Sequence, residues 1–438
     1  MRMDTGMTGA IPETDYSRLV MKFGGTSMAD LERIRRAARI VAAEAAKGKK
    51  VAVVVSAMAG KTNELVAWTD GAGAPAAGLY PAGQMSDDEY DVVVASGEQV
   101  TAGLLALTLR NMGHKARSWM GWQIPIITDD AHARARIEEI PGEVLGAAMD
   151  AGEIAVIPGF QGVTRDGRIT TLGRGGSDTS AVAVAAALHC PCDIYTDVDG
   201  VYTTDPRIES RAKRLAKVSY EEMLEMASLG AKVLQTRSVE MAMHNQVPVR
   251  VLSSFIEPDE NGILPEDAGT LICDEDEIVE KRIVSGVTMS RDEARITLLG
   301  LSDRTDAPAD VFTRLAEANV NVDMIVQSQA RTPGTVNLTF TTGRRDAARA
   351  SELMLSEKDA IGFEEIRVDD DVAKVSVIGV GMRSHAGVAQ MMFRALADKG
   401  IKFQAISTSE IKISVLIESA YAELAVRALH AAYGLEAL

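Results

Sequence analysis

The chain has 438 residues, of which 46% are hydrophobic and 25% charged, with a formal net charge of −16 at pH 7. That length exceeds what one hydrophobic core fills, so two or three domains of a soluble globular protein are expected. The acidic balance argues against a nucleic-acid or membrane-surface partner, and no apolar run is expected to reach the roughly 20 residues of a membrane helix.

The first 17 residues carry Asp4, Glu13 and Asp15 without an apolar stretch, and read as a disordered arm, not a signal peptide. From Arg18 to about residue 275 the pattern alternates strand and helix. This predicts a three-layer α/β/α domain with a mostly parallel sheet. Arg18 to Phe23 reads as a strand, followed by a long helix from about Met28 to Lys47 and a valine strand from Lys50 to Ser56. Residues 70–87, rich in Gly, Ala and Pro, read as an exposed loop before a helix from Asp91 to Asn111. Ile154 to Pro158, Asp193 to Thr196 and Val247 to Leu252 read as further strands. A helix from Ser219 to Gln246 is expected to break near Gly230, and Thr270 to Ile272 supplies a last strand. The cysteines Cys190, Cys192 and Cys273 lack redox or zinc spacing and read as reduced thiols of a cytoplasmic protein.

Four segments of this domain carry chemistry. Lys22-Phe-Gly-Gly-Thr-Ser27 closes the first strand. Lys22 can face a phosphate there, and Gly24 and Gly25 let the backbone approach it, though a solvated lysine beside a turn fits too. It is not a Walker loop: Gly60-Lys61-Thr62 resembles that motif's tail, but Val55 stands at its first glycine. Ser56 and Thr62, after the valine strand, serve either as substrate contacts or as a strand end and a helix cap. The turn Thr170-Thr-Leu-Gly-Arg-Gly-Gly-Ser-Asp-Thr-Ser180 joins a strand (Gly167 to Thr171) to an apolar helix. Its free N–H groups, Arg174 and Asp178 suit the carboxylate and ammonium of a free amino acid, while Ser177 or Asp178 is equally an ordinary N-cap. Thr196-Asp-Val-Asp-Gly-Val-Tyr-Thr-Thr-Asp-Pro-Arg207 suits a nucleotide pocket; it lacks the later ligands of a calcium loop. Glu98 and Lys232 fall on predicted helices. No histidine lies in these motifs, and a carboxylate acceptor, already ionised at pH 7, needs no general base.

After the boundary at Glu257 to Asp276 the sequence repeats. Ala294-Arg-Ile-Thr-Leu-Leu-Gly300 matches Ala373-Lys-Val-Ser-Val-Ile-Gly379, and Leu315, Val320, Ile325 and Ser328 match Leu396, Ile401, Ile406 and Ser409. Two ferredoxin-like βαββαβ modules are expected, over 283–365 and 366–438, the second able to borrow the strand near 283–289.

In this order the segments resemble aspartate kinase of the amino-acid kinase family, with two C-terminal ACT modules. The resemblance covers about Arg18 to the C-terminus. It implies ATP-dependent phosphorylation of the β-carboxylate of L-aspartate, the first step toward lysine, threonine, methionine and isoleucine, with Mg2+ carried on ATP. It also implies feedback by lysine or threonine in a homo-oligomer formed through the ACT modules, with a separately made C-terminal regulatory subunit possible in such enzymes. By motif, Lys22, Arg174, Asp178 and Lys232 are catalytic. Lys22, Phe23, Gly24, Gly25, Tyr195, Thr196, Asp197, Val201, Tyr202, Asp205, Pro206, Arg207 and Lys232 line the ATP site. Ser56, Thr62, Glu98, Phe160, Arg174, Gly175, Gly176, Ser177 and Asp178 surround aspartate. Asp303, Asn321, Asp323, Gln327, Thr408 and Glu410 bind the effector. The first module lacks the glycine that family members often carry at its strand-to-helix turn, having Asp306 there. The second, Gly381 to Gly387, keeps its glycines for close approach of an effector. Another carboxylate kinase of this fold, or a catalytically silent ACT sensor, is the rival reading.

Overall fold

The computed structural model describes residues 14–72, 87–230, 233–256, 265, 268–278 and 282–437. It divides into two compact units, Met1–Val201 with Arg214–Ala227 and Lys232–Val279, and Tyr202–Lys213 with Ser228–Ala231 and Glu280–Leu438.

The first unit is built on an eight-stranded sheet. Its order is Lys217–Ser219, Thr270–Cys273, Val249–Ser253, Cys192–Thr196, Arg18–Phe23, Lys50–Val55, Ile154–Pro158 and Ala116–Ser118. All neighbours run parallel except Val249–Ser253 beside Thr270–Cys273. The near-continuous valine runs belong to strands buried on both faces, as a parallel sheet between helical layers requires. Side chains alternate across it. Met21, Phe23, Val53 and Val55 enter one core with the helices Leu31–Ala46 and Ser96–Asn111. Val20, Lys22, Ala52 and Val54 point to the opposite face, where the helix Gly176–Ala187 packs.

Of a second sheet of four short strands, in the order Ile137–Glu139, Ile127–Thr128, Gln161–Val163 and Ile169–Thr171, only the last was expected, as Gly167 to Thr171; the other three, of two or three residues, carry no periodic signal. The expected long helices are each two: Asp87–Val94 then Ser96–Asn111, and Tyr220–Ser228 then Thr236–Asn245. Ser219 and Glu222 open the second pair with a reciprocal cap, Ser219 N–H to Glu222 Oε2 at 3.2 Å and Glu222 N–H to Ser219 Oγ at 3.2 Å. Against the sequence expectation, the helical run Asp87–Asn111 is long and apolar enough to cross a bilayer by length and composition. It holds Asp91 and Glu98 inside the protein, at 0% and 3% exposure, as a core helix does. Residues 14–17 of the expected arm are held: Asp15 N–H donates to the His189 carbonyl at 2.6 Å. Residues 1–13 and 73–86, and most of the segment 257–267, lie outside the described residues.

The second unit has one antiparallel six-stranded sheet, in the order Ile325–Gln329, Thr335–Thr342, Gly286–Ser302, Glu365–Ile378, Lys412–Glu418 and Phe403–Thr408. Its two central strands, 17 and 14 residues long, each serve both modules. Residues 294–302 open the first module and 365–369 close it; residues 372–378 open the second, and 286–290 supply its fourth strand. The boundary expected at 365/366 therefore falls at the start of a strand that both modules use. Helices Ala307–Glu317 and Arg344–Ser356 cover the first core of Ile296, Leu298, Val311, Phe340 and Met354. Helices Val388–Asp398 and Ala422–Ala432 cover the second, of Val375, Val377, Met392, Val415 and Leu429.

Candidate active site

The parallel strands Arg18–Phe23, Lys50–Val55, Ile154–Pro158 and Cys192–Thr196 lie side by side, so the loops that follow them leave one carboxyl edge, where open sheets bind ligands. Lys22 ends on the helix Gly176–Ala187 side, with its Nζ 2.5 Å from Asp178 Oδ1 and the two side chains 9% and 11% exposed. A buried ammonium needs such a partner. After Phe23 the Gly24-Gly25 backbone runs close to its neighbours, most tightly at Gly25. A Cβ at Gly24 would lie 3.4 Å from Lys22 Nζ, and one at Gly25 would lie 3.1 Å from the Ala57 carbonyl. Gly24 N–H donates to the Tyr195 carbonyl at 3.1 Å, and Ser27 Oγ meets Ser254 Oγ at 2.8 Å.

The turn between Ile169–Thr171 and Gly176–Ala187 is fixed almost residue by residue. Leu172 N–H donates to the Phe160 carbonyl at 2.9 Å, and Arg237 donates to the carbonyls of Leu172 and Ala135, both at 2.9 Å. Gly173 and Gly175 both have φ near +74°, and a Cβ at Gly175 would overlap Gln235. Phe160 itself is held at φ +68°, its N–H donating to Ser180 Oγ at 3.1 Å; such strain gathers where the surroundings over-determine a site. The helix begins after Gly175 with no side-chain cap, leaving an N-terminus that favours an anion. Ser177 and Asp178 are buried in its first turn, Gly175 and Phe160 are half-buried, and Gly176 is buried. Arg174 is exposed and makes no hydrogen bond or ion pair with a described residue. Among the described residues the fixed turn thus presents one guanidinium without a counter-charge.

Glu98 sits in the first turn of Ser96–Asn111 and accepts from the Ala57 N–H at 3.0 Å. Its other oxygen is buried without a partner, and burial pushes the carboxyl up to about 7, against the lowering effect of the Ala57 bond. An unsatisfied buried oxygen is a place for a donor to arrive. Ser56 is half-buried at the head of the same loop; Thr62 is half-buried in the first turn of Lys61–Ala72.

The nucleotide candidates scatter more. Phe23 and Tyr195 are fully buried and stacked, ring centroids 4.8 Å apart at 13°, and Val201 is 1% exposed. These three side chains are core, so only their backbones can face a ligand. Thr196 and Asp197 do reach the edge, Thr196 Oγ1 donating to Asp197 Oδ1 at 3.1 Å. Tyr202, Asp205, Pro206 and Arg207 belong to the second unit. There Arg207 pairs with Asp205 at 2.7 Å, and neighbouring Thr203 Oγ1 meets the buried His430 Nε2 at 2.9 Å. Lys232 lies outside the described residues.

Five of the six effector candidates divide between the sheet's two edges. Asn321, Asp323 and Gln327 are exposed on or just before the edge strand Ile325–Gln329; Thr408 and Glu410 are exposed at the end of Phe403–Thr408, at the opposite edge. Asp303 is exposed in the turn after Gly286–Ser302. Asp323 pairs with Lys374, whose Nζ also lies 2.6 Å from Glu293. Of the glycines expected to admit an effector in the second module, one meets the chain's own backbone. A Cβ at Gly381 would overlap the Arg282 carbonyl, while Gly387 is open.

Asp91 and Arg237, which clamp the Arg174 turn, went unremarked in sequence, since each meets it from 65 or more residues away. No local pattern marks such a contact.

Residues 17–253 match the amino acid kinase family and residues 375–433 an ACT domain. The chain is similar to an aspartokinase of Pseudomonas aeruginosa, 50% identical over 426 residues that cover 96% of this chain and 98% of that one. Aspartokinase 2 of Bacillus subtilis is 44% identical over 418 residues, covering 95% and 98%. The solved structure of E. coli aspartokinase III with aspartate and ADP aligns with a TM-score of 0.76 at 29% identity, over 94% of this chain and 99% of that one. Its lysine- and aspartate-bound form aligns at 0.74, also at 29% identity, over 95% and 99%.

Proposed function

The chain belongs to the aspartokinases of the amino acid kinase family, and from that premise we propose how its residues move the γ-phosphoryl group of ATP onto the β-carboxylate of L-aspartate. The observation that carries the proposal is the buried Lys22–Asp178 pair at the carboxyl edge, in the same turn as an unpartnered Arg174.

Arg174 takes the α-carboxylate of aspartate, and Asp178 with the orphan oxygen of Glu98 takes its α-ammonium. Ser56, Thr62 and the backbone of Phe160, Gly175, Gly176 and Ser177 close around it. The β-carboxylate is already an anion, so no base is needed. One of its oxygens forms a bond to the γ-phosphorus as the bond from that phosphorus to the β,γ-bridging oxygen breaks. ADP leaves with the electron pair, and 4-phospho-L-aspartate remains. Lys22, with the N–H group of Gly25, offsets the charge on the transferring group, and Lys232 adds a second cation. Thr196 and Asp197 hold the nucleoside. Among the described residues no cluster of three or more His, Cys, Asp or Glu side chains could cage a metal. Mg2+ brought in with ATP would supply further charge neutralisation at the transferring group.

The ACT modules bind a feedback amino acid, lysine or threonine, at Asp303, Asn321, Asp323, Gln327, Thr408 and Glu410. Because five of these stand on two edges of one sheet, this reading calls for a homo-oligomer in which the edges of two copies face each other.

The test is ADP release by the purified full chain with MgATP and aspartate, with glutamate and N-acetylglutamate as competitors for the role. Turnover on aspartate alone is expected. No turnover on aspartate, or equal turnover on N-acetylglutamate, which has no free amine for Asp178, would overturn it.

A further inference from the structure

We infer that Asp91 is the positioning residue of the aspartate subsite: its buried carboxylate locks the strand end from which Arg174 projects. The inference rests on the reading above, in which Arg174 holds the substrate α-carboxylate.

Asp91 is 0% exposed on the helix Asp87–Val94. An anion so placed must be surrounded by donors or it destabilises the fold. It has three sets, all from the segments that frame the Arg174 turn. Thr171 Oγ1 donates at 2.5 Å, the Ala133 N–H donates to both carboxylate oxygens at 3.1 Å, and His132 Nδ1 lies at 2.8 Å. Thr171 is the last residue of its strand, three before Arg174.

Ala133 is held at φ +63°, a conformation a residue with a Cβ adopts only under constraint. The two bonds from its N–H to Asp91 supply that constraint. The Ala133 carbonyl in turn stands where a Cβ at Gly173 would come within 3.3 Å, so the position of Ala133 fixes how closely the turn can approach. The Ala135 N–H then donates to the Thr171 carbonyl at 2.9 Å. Asp91 thus sets residues 171 and 173 by separate routes, one direct and one through Ala133.

The same helix grips the other end of the short strand. Arg168, which precedes Ile169–Thr171, pairs with Asp88 at 2.8 Å and Glu89 at 3.0 Å. Those two pairs are partly exposed and contribute little by themselves, but they set the direction of the strand while Asp91 sets its end. A guanidinium can fork onto a carboxylate only in a narrow geometry. Arg174 has no partner of its own among the described residues, so its aim comes from the backbone that carries it.

The experiment compares D91N, T171V, T171S, the double variant D91N/T171V and R174A in the full chain, by steady-state kinetics and thermal melting. D91N keeps the shape but gives an amide, which cannot accept from Ala133, Thr171 and His132 at once. D91N and T171V are each expected to raise KM for aspartate at least tenfold with KM for ATP within twofold. T171S, which keeps the hydroxyl, stays within twofold of the parent, and the double variant is no worse than the worse single one. R174A raises KM for aspartate by more than either. If R174A shifts KM for aspartate but folded D91N and T171V do not, the positioning role fails and the substrate reading stands. If R174A leaves it unchanged, the substrate reading fails and takes the inference with it. Should D91N not fold, T171V and T171S decide the matter: equal values for valine and serine would overturn it.

Discussion

Among the described residues each unit buries one lysine, and the two are neutralised in opposite ways. In the first unit Lys22, 9% exposed at its side chain, meets a single carboxylate, and the same turn carries an unpartnered arginine. In the second, Lys374, 6% exposed at its side chain, meets two carboxylates, Glu293 and Asp323. Burial pushes the Lys374 pKa down, yet the two anions outweigh it and the net is upward. The first arrangement has local positive charge to spare and invites an anion. The second is closed: its ammonium is satisfied and ties Asp323, on the first module, to a strand of the second. A buried cation marks a reaction site when its surroundings under-neutralise it, and a structural joint when they over-neutralise it.

That contrast is open to attack at several places. The largest effect is expected at Lys22. K22A should cut turnover about 100-fold or more at saturating aspartate and ATP, the scale of a lost charge contact in a transition state; a near-normal rate would erase the distinction. K374M should instead spare turnover in the absence of effector. It leaves the buried Glu293 carboxylate without its cation, beside the half-exposed Asp323, so the second unit should lose about 3 kcal/mol. Amide exchange in the strands Gly286–Ser302 and Glu365–Ile378 would report this loss apart from the first unit. A K374M protein of unchanged protection but impaired turnover would reverse the two assignments.

The smallest effect concerns Glu98. Its pKa in the fold, about 7, lies above the ordinary 4.5 because burial disfavours the anion. The folded state therefore binds the proton more tightly, and stability is lost as pH rises from about 4.5 through 7. Aspartate's ammonium needs the anion, so KM for aspartate should fall roughly tenfold between pH 6 and pH 8, following the ionised fraction. E98Q should show a flat profile over that range, at a high KM. A parent profile as flat as that of E98Q would remove Glu98 from the ammonium site.

How much of this was legible beforehand follows the range of the interactions involved. The valine strands, the split near Gly230, the repeat and the glycine motifs are local patterns, and the structure holds them within a few residues of where the sequence puts them. Lys22 and Asp178 were legible as types, but their pairing across 156 residues was not. Phe23 and Tyr195 sit inside motifs, yet strand alternation turns their rings into the core. The motif marks the backbone there, and the side chains answer to packing. Glycine misled in another way. Gly381 does demand close approach, as expected, but what approaches is the backbone of Arg282 and Ile283. A glycine records that something comes near without recording what.

The exchanged strand ends in the second unit have a consequence for how this half of the protein can be inherited or engineered. Residues 286–290 complete a module whose remaining strands lie more than 80 residues further on, and the strand starting at Glu365 begins in one module and finishes in the other. The two copies are thus interlocked like clasped hands. Deleting either one, or transplanting a single copy into another protein, would leave its sibling with an open flank and a missing ribbon. The two can be cut out, moved or replaced only together.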